Sequence, residues 1–211
     1  ERYAYVKARV VGTQPPEEIA AELNDNMIRP FVYRRYLDYG VFESVREMQD
    51  MITAEVRRRE LQDNVKLGPG GIREAEFIVQ ALQLVRGGSE PQLQGCEFQK
   101  VLPLLVSERG ISQPDADEIL NSYRYLRRLE NFIQAIRDEQ THELPANDID
   151  RARLCLATRS ESWDALIVEL DRHRHAISAQ FNAVAFRGRS DENPKWQVFG
   201  RLWNTSASAS D

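Results

Sequence analysis

The sequence has little cysteine and little lysine, and it contains no long apolar run. Its two cysteines, Cys96 and Cys155, are too few for a disulfide framework and lack metal-site spacing, which favours a reducing compartment. No stretch approaches the roughly 20 consecutive apolar residues of a membrane-spanning helix. The 28 basic residues do not outnumber the 33 acidic ones, whereas nucleic-acid binding rests on clustered positive charge. We therefore expect a cytoplasmic protein whose partners are neither nucleic acid nor membrane.

The chain does have enough apolar residues for one hydrophobic core. Its 211 residues are 42% hydrophobic, which fits a folded domain and argues against disorder. Arginine outnumbers lysine by 24 to 4. This bias suits bidentate pairing with carboxylate or phosphate, although codon usage in a GC-rich genome would also produce it. Because the first residue is Glu1 and no signal-like segment follows, we expect a piece of a longer chain.

Helical periodicity runs through nearly every segment, and strand-like alternation is scarce. The predicted fold is therefore an all-α bundle of about six helices. The longest predicted helix follows the start signal Ser112-Gln-Pro-Asp. Residues 1–11 fit either a helix or a strand. The predicted helices cover residues 17–30, 31–61, 72–86, 98–107, 115–139, 149–158 and 163–186, and the end of the chain is expected to be a disordered tail.

The most informative segment, residues 66–80, joins a glycine turn to an apolar helix. Its turn contains three glycines, Gly68, Gly70 and Gly71. Glycines permit positive φ and close backbone approach. The start of the following helix offers free N–H groups, and Lys66 and Arg73 add positive charge, so this corner is suited to an anion. The same pattern describes a tight turn that seats a helix, and the pattern alone favours that structural interpretation.

Known phosphate-binding motifs do not fit this turn. In a P-loop the last glycine precedes Lys and then Ser or Thr, whereas Gly71 precedes Ile72 and Arg73. The dinucleotide fingerprint fails as well, because Arg73 stands at its third glycine position and no strand precedes the turn. Glu74 and Glu76 lie in the first helical turn, where the helix dipole favours carboxylates. Arg73 is unfavourable there, which suggests that it is held for a partner.

A dense polar face is predicted on the long helix. Its residues, most of them at three- and four-residue spacing, include Arg127, Arg128, Glu130, Asn131 and Asp138. An exposed lattice of salt bridges would give this pattern. A polar cleft or partner face that meets another domain would give it too, and both interpretations stay open.

No metal or catalytic site is predicted from spacing. Two acidic pairs have the spacing of a magnesium site, Asp115/Asp117 and Asp148/Asp150. Each pair stands at a helix start with no strand to present it, so we interpret both as caps and first-turn acids. His173 and His175 are two residues apart on a helix and therefore point in different directions. No Ser/His/Asp or Cys/His arrangement can be argued from spacing either, so the pattern alone indicates only a helical domain with a polar cleft.

Several motifs together resemble one enzyme family. They are Lys66-Leu-Gly-Pro-Gly-Gly-Ile-Arg-Glu-Ala-Glu-Phe-Ile-Val-Gln, Gln83-Leu-Val-Arg-Gly-Gly, Arg29-Pro-Phe-Val-Tyr-Arg-Arg-Tyr-Leu-Asp, Arg127-Arg-Leu-Glu-Asn and Asp138-Glu-Gln-Thr-His. In their order along the chain, from Arg29 to Asp138, they resemble the bifunctional glutamine synthetase adenylyltransferase/adenylyl-removing enzymes, and the resemblance covers residues 1–186. The form Gly-Gly-Ile-Arg-Glu-x-Glu-Phe is similar to that of the N-terminal, deadenylylating half.

The resemblance implies a parent enzyme that removes AMP from a glutamine synthetase tyrosine by phosphorolysis. Residues 1–14 would end a nucleotidyltransferase domain, 15–187 would form its helical domain, and 188–211 would begin a linker. Glutamine synthetase and the PII signalling protein would be partners. Mg²⁺ and ATP/ADP would serve the parent, whereas this fragment is expected to bind none of them. The metal-binding signature of the family would lie upstream of Glu1, so the fragment alone is expected to be inactive.

Two roles for the domain follow from the resemblance. In the first, Lys66, Arg73 and the loop amides steady phosphate groups in the neighbouring cleft. The residues on this phosphate side would be Lys66, Gly68, Gly70, Gly71, Arg73, Glu74 and Glu76. In the second, the domain is a non-catalytic docking module for PII or glutamine synthetase, and the polar face from Arg127 to Asp138 supplies the contacts.

Overall fold

The computed structural model describes residues 2–11, 17–33, 61–107 and 110–190, together with the single positions 54 and 58. The α-helices in these ranges are α1 (Glu17–Leu23), α2 (Arg29–Val32), α3 (Ile72–Arg86), α4 (Phe98–Val101), α5 (Gln113–Arg137), α6 (Asp148–Thr158) and α7 (Trp163–Ser190). A π-helical segment joins α1 to α2, and short 3₁₀ turns cover Arg2–Tyr5, Leu61–Asp63, Pro91–Leu93 and Leu102–Leu105. These ranges contain no strand, which confirms the all-α prediction. The predicted tail and nearly all of the predicted helix over 31–61 lie outside the described residues.

The glycine turn leads into α3, the central helix. The first turn of α3 is charged, but the helix is central, and 10 of its 15 residues are buried. It begins after Gly71, whose backbone is extended, and ends where the Gly87 N–H donates to the Gln83 carbonyl at 2.7 Å. Both α5 and α7 pack against it. The predicted bounds of this helix are confirmed.

Helix α5 turns an apolar stripe toward the core. Its start is capped by Ser112 Oγ, which accepts a hydrogen bond from the Asp115 N–H at 3.3 Å. The apolar residues that recur at helical spacing along α5 lie in the core or pack against it: Ile119, Tyr123, Leu126, Leu129, Phe132, Ile133 and Ile136. The prediction that this is the longest helix is wrong, because α5 has 25 residues and α7 has 28. No proline interrupts α7 anywhere between Trp163 and Ser190.

A buried carboxylate, Asp150, ties α6 to the end of α5. It accepts hydrogen bonds from Arg137 Nη2 at 2.7 Å, Asn147 Nδ2 at 2.7 Å and Arg153 Nη1 at 2.9 Å. The bonds from Asn147 and Arg137 hold the pKa of Asp150 below its usual value. Asn147 Oδ1 in turn accepts from the Asp150 N–H at 2.9 Å and so caps α6. The interpretation of the Asp148/Asp150 pair as first-turn acids is confirmed.

We expect Asp150→Asn to lower stability at neutral pH and to flatten the loss of stability in acid. A carboxyl whose pKa is depressed in the folded state stabilises that state above its ordinary value of 3.8. This contribution is lost as the pH falls through the lower, folded-state pKa. Urea unfolding at pH 7 and at a series of acidic pH values measures the difference. Asp148→Asn is the matched control, since that carboxylate is fully exposed. An unchanged acid dependence in Asp150→Asn would contradict the prediction.

The N-terminal residues pack partly into this core, since Val6 and Val32 are buried, and otherwise lie on its surface. The Tyr5 ring meets Phe31 of α2 edge-on at 5.5 Å. Ile19, Leu23 and Met27 recur every four residues, and this spacing indicates a helix. Their side chains are 50%, 36% and 63% exposed, so they do not form a buried face. None of the helices in the described ranges is long and apolar enough to cross a membrane. The predicted domain boundaries stay a prediction, and α7 continues to Ser190.

Candidate functional site

The glycine turn, residues 64–71, folds back on itself before α3 begins. The Gly71 N–H donates to the Gly68 carbonyl at 3.0 Å. Gly70 has a φ of 65°, in the left-handed region that other side chains disfavour. A Cβ at Gly70 would lie 2.1 Å from the Arg174 carbonyl oxygen of α7. Turn and helix therefore touch through bare backbone, and only glycine fits at this position.

Asn64 organises the turn. Its side chain is buried, and Oδ1 accepts hydrogen bonds from the backbone N–H groups of Lys66 at 3.0 Å and Leu67 at 2.8 Å. Its Nδ2 donates to Glu143 Oε1 at 2.6 Å, and its carbonyl accepts from Arg174 Nη2 at 3.1 Å. The sequence analysis missed Asn64. The available signal was an Asn ahead of a glycine turn, where its side chain can bond the backbone two residues on.

Arg174 on α7 is the other residue that the sequence analysis missed. Burial lowers the pKa of its guanidinium, while the charges of Asp171, Asp63 and Glu143 act in the opposite direction. Besides the bond from Nη2 to the turn, its buried Nε has no hydrogen-bond partner among the described residues. The Arg174 guanidinium thus joins α7 to the glycine turn.

The backbone N–H groups at the start of α3 are already hydrogen-bonded. The Ile72 N–H donates to the Val65 carbonyl at 3.2 Å, and the Arg73 N–H donates to the Lys66 carbonyl at 3.0 Å. With Gly71 also engaged, three of the groups that a helix start leaves open are used within the turn. The geometry therefore matches a turn that seats a helix. Contact between the loop and phosphate stays a prediction.

Glu74 and Glu76 point to different neighbours. Glu74 is half-buried against α7, where Ser178 Oγ donates to its Oε2 at 2.9 Å, and burial raises the pKa of Glu74. Glu76 instead pairs with Lys7 Nζ of the N-terminal segment at 2.7 Å. Burial raises the pKa of Tyr123 on α5, and the charge of Glu76 adds to that effect. The two carboxylates therefore do not form one acidic site.

Arg73 is exposed at the edge between α3 and the N-terminal segment. Its Cζ lies 5.7 Å from the centre of the Phe77 ring. Tyr3 stacks on the same ring with 4.5 Å between centroids, and burial raises the pKa of Tyr3. Arg73 forms no ion pair with any described residue. Its guanidinium is therefore open to a partner.

A buried carboxylate on α5 gathers three basic side chains. Glu130 is only 2% exposed. Its Oε2 lies 2.5 Å from Arg127 Nη1, and its Oε1 lies 3.0 Å from His142 Nδ1 and 3.8 Å from Lys66 Nζ. The Val65 N–H donates to the His142 carbonyl at 2.9 Å and so fixes the turn beside the segment after α5. The structure brings Lys66 together with Arg127 and Glu130, which were predicted as separate groups.

The other predicted members of the polar face do not join this cluster. Arg128 is exposed, and its Cζ lies 5.7 Å from the centre of the Phe132 ring. Asn131 is exposed as well. Asp138 is an exposed residue with a φ of 54° that ends α5. The polar face thus divides into an internal ion cluster and a separate exposed surface.

The absence of catalytic and metal-binding residues stays a prediction. No three or more His, Cys, Asp or Glu side chains are grouped in the described ranges to hold a metal ion, so the residues do not fit Mg²⁺. His173 is buried, with Nδ1 2.9 Å from Ser122 Oγ, whereas His175 is exposed beside the Asp171 carbonyl. An open groove of 540 Å³ between α6 and α7 contains none of the predicted site residues.

One comparison with known proteins bears on this geometry. A family model described as GlnD PII-uridylyltransferase matches residues 46–185, which is about two-thirds of the chain. The match includes the glycine turn, α3 to α6 and most of α7. It agrees with a helical domain associated with a nucleotidyltransferase and related to PII proteins. It is not specific to the glutamine synthetase adenylyltransferases that the motifs resemble.

Proposed function

The chain belongs to the GlnD PII-uridylyltransferase family, and we propose that it is the helical domain flanking the active site of a nucleotidyltransferase. Within that class we propose the deadenylylating half of a bifunctional glutamine synthetase adenylyltransferase/adenylyl-removing enzyme. The motif from Lys66 to Gln80 supports the finer assignment, because it resembles that half. In its reaction an oxygen of inorganic phosphate attacks the AMP phosphorus, the bond to the tyrosine oxygen breaks, and ADP leaves.

The observation that carries the proposal is the contact between residues 2–11 and the start of α3. Tyr3 stacks on Phe77 and Lys7 pairs with Glu76, four and three residues after Arg73 at the same edge of α3. If residues 1–14 end a nucleotidyltransferase domain, that domain lies beside this edge. Arg73 would then line the cleft of that domain.

The contribution of this domain would be electrostatic positioning. Phosphoryl transfer places growing negative charge on phosphate oxygens, and fixed cations beside them stabilise that charge. Arg73 and Lys66 are the cations of the phosphate side. We assign the residues of this chain no metal-dependent step, and we expect no transferase activity from the chain alone.

We expect Arg73→Ala in the purified parent enzyme to lower kcat/KM for deadenylylation on the order of 10–100-fold, the value of one charge-assisted hydrogen bond. The assay follows ADP formed from adenylylated glutamine synthetase as the phosphate concentration is varied. Arg124→Ala is the matched control, since Arg124 is an exposed arginine on α5 whose Nε donates to Gln99 at 3.2 Å. Full activity of Arg73→Ala with unchanged phosphate dependence would falsify the role.

The same purified parent distinguishes the two substrate assignments within the family. Release of ADP from adenylylated glutamine synthetase supports the adenylyl-removing assignment. Transfer of UMP from UTP to a PII protein, without ADP release from glutamine synthetase, overturns it in favour of a uridylyltransferase. In either case the helical domain keeps its place beside the nucleotidyltransferase site.

A second candidate function is a non-catalytic docking module for PII or for glutamine synthetase. The exposed positions Arg128, Asn131 and Asp138 favour it, because none of them belongs to the internal ion cluster. A pull-down of the 211-residue chain with each protein tests it. Binding without the catalytic domain supports docking. Binding that survives replacement of both Arg128 and Asn131 by alanine removes the proposed surface.

A further inference from the structure

We propose that Lys66 and Arg127, held together by the buried carboxylate of Glu130, form a clamp for a phosphate-type oxyanion. This inference rests on the proposed function and names the side chains that would hold the phosphate group. In this proposal the phosphate contacts side chains at the junction between the glycine turn and α5, and not the backbone amides of the turn.

The charge balance around Glu130 is the first observation. Two permanent cations, Lys66 and Arg127, face one carboxylate, so the cluster carries a surplus positive charge even when His142 is neutral. Protonation of His142 would add a second. The carboxylate of Glu130 is already satisfied by Arg127 at 2.5 Å and His142 at 3.0 Å. Lys66, at 3.8 Å, is therefore left with unused donor capacity.

The accessibility of the two cations is the second observation. The side chain of Glu130 is 3% exposed, whereas those of Lys66 and Arg127 are 34% and 44% exposed. The Glu130 carboxylate thus lies beneath the surface, whereas the side chains of Lys66 and Arg127 are both partly exposed to solvent. Because they contact one buried carboxylate, they converge without the cost of ordering two free surface side chains. Such preorganised cations suit an oxyanion.

The neighbouring acids do not cancel this surplus. Glu76 is neutralised by Lys7 at 2.7 Å. Glu143 accepts from Asn64 and lies within the field of Arg174. The amides of Gly71, Ile72 and Arg73 are engaged within the turn, so the backbone there does not compete as an anion site. The side-chain cations remain the groups available to an incoming phosphate.

The clamp recognises only the phosphate group, whether that group is free or terminates a nucleotide. Expected binding to the chain alone is weak, in the millimolar range, because two partly exposed cations contribute and no nucleoside pocket is involved. The clamp differs from the expectation that this chain alone binds no ATP or ADP, because it predicts weak binding of the phosphate group. A parallel titration with ADP distinguishes free phosphate from the terminal phosphate of a nucleotide.

The test is an NMR titration of the 211-residue chain with inorganic phosphate at constant ionic strength, with chloride as the reference anion. We expect saturable shifts at Lys66, Arg127 and His142. Lys66→Met and Arg127→Ala should each weaken binding about tenfold, the effect of losing one charge-assisted contact. The control Arg128→Ala removes the same charge one residue away and should leave the affinity unchanged. Thermal unfolding of each variant verifies that it is folded.

Two results would overturn the clamp: the absence of saturable shifts at Lys66 and Arg127, or unchanged phosphate affinity in Lys66→Met. Equal affinities for ADP and phosphate support a clamp for free phosphate, and tighter ADP binding at the same residues supports a nucleotide phosphate. This outcome is separate from that of the proposed function. The parent assay can fail while the chain still binds phosphate, and phosphate binding can fail while Arg73→Ala still impairs deadenylylation.

Discussion

Gly70→Ala is expected to lower the free energy of unfolding by about 2–5 kcal/mol. Holding a non-glycine residue in the left-handed region costs about 1–2 kcal/mol, and forcing an extra carbon into a packed contact costs about 1–3 kcal/mol. Both penalties apply, because Gly70 has a φ of 65° and its Cβ would lie 2.1 Å from the Arg174 carbonyl oxygen. Neither the φ angle of Gly70 nor the Arg174 carbonyl can shift easily, because both belong to the backbone.

Urea unfolding of the 211-residue chain measures this loss, and thermal unfolding should show the midpoint lowered by about 2–4 °C per kcal/mol for a chain of this length. Gly95→Ala is the matched control, because its Cβ would meet only Val101 Cγ2, at 3.0 Å. We expect the control to stay within about 1 kcal/mol of the unchanged chain. A Gly70→Ala chain as stable as the control would show that the turn and α7 separate easily.

The same variant distinguishes a structural turn from a site in the parent enzyme. A turn that only seats α3 predicts that stability and deadenylylation fall together. An intact fold with lost activity would place the effect at the phosphate instead. The hydrogen bonds within the turn favour the first result, since Gly71, Ile72 and Arg73 all donate to carbonyls of residues 65–68.

The helices were predictable from the sequence because their signals are local. The bounds of α3 follow from an apolar run between two glycine pairs, and those of α5 follow from a capping Ser112 and an apolar stripe. The length of α7 was underestimated, because the polar composition after Phe186 resembled a linker. Helix length there depends on the absence of proline, and the next proline is Pro194.

The partners of the glycine turn were not predictable, because they lie far away in the chain. The side chain of Asn64 donates a hydrogen bond to Glu143, 79 residues later in the sequence. Its carbonyl accepts one from Arg174, 110 residues later. No periodic pattern connects positions so distant. Tertiary contacts that no local pattern indicates therefore direct the residues of the predicted phosphate side to different neighbours. Glu74 is directed to Ser178 of α7, Glu76 to Lys7, and Lys66 to Glu130.

Glu130→Ala is the second substitution with a large expected effect, a loss of about 3 kcal/mol in the free energy of unfolding. Removing one partner of a buried ion pair costs about 3–5 kcal/mol. We take the low end of that range, because Lys66 and Arg127 reach solvent and can rehydrate. The variant leaves a cavity beneath these two cations, which then repel each other without the carboxylate between them. Urea unfolding at pH 7 measures the loss.

Two further variants separate the charge of Glu130 from its volume. Glu130→Gln keeps the shape and an acceptor oxygen, so we expect a loss of only about 1 kcal/mol. Adding Lys66→Met to Glu130→Ala should recover about 0.5–1 kcal/mol by removing the repulsion with Arg127, whereas adding Arg128→Met should recover nothing. Equal effects of the two additions would mean that Lys66 and Arg127 do not repel each other once the carboxylate is removed. A recovery with Lys66→Met alone would instead show that the buried acid on α5 offsets this repulsion and lets the two cations converge, which is the arrangement that the phosphate clamp requires.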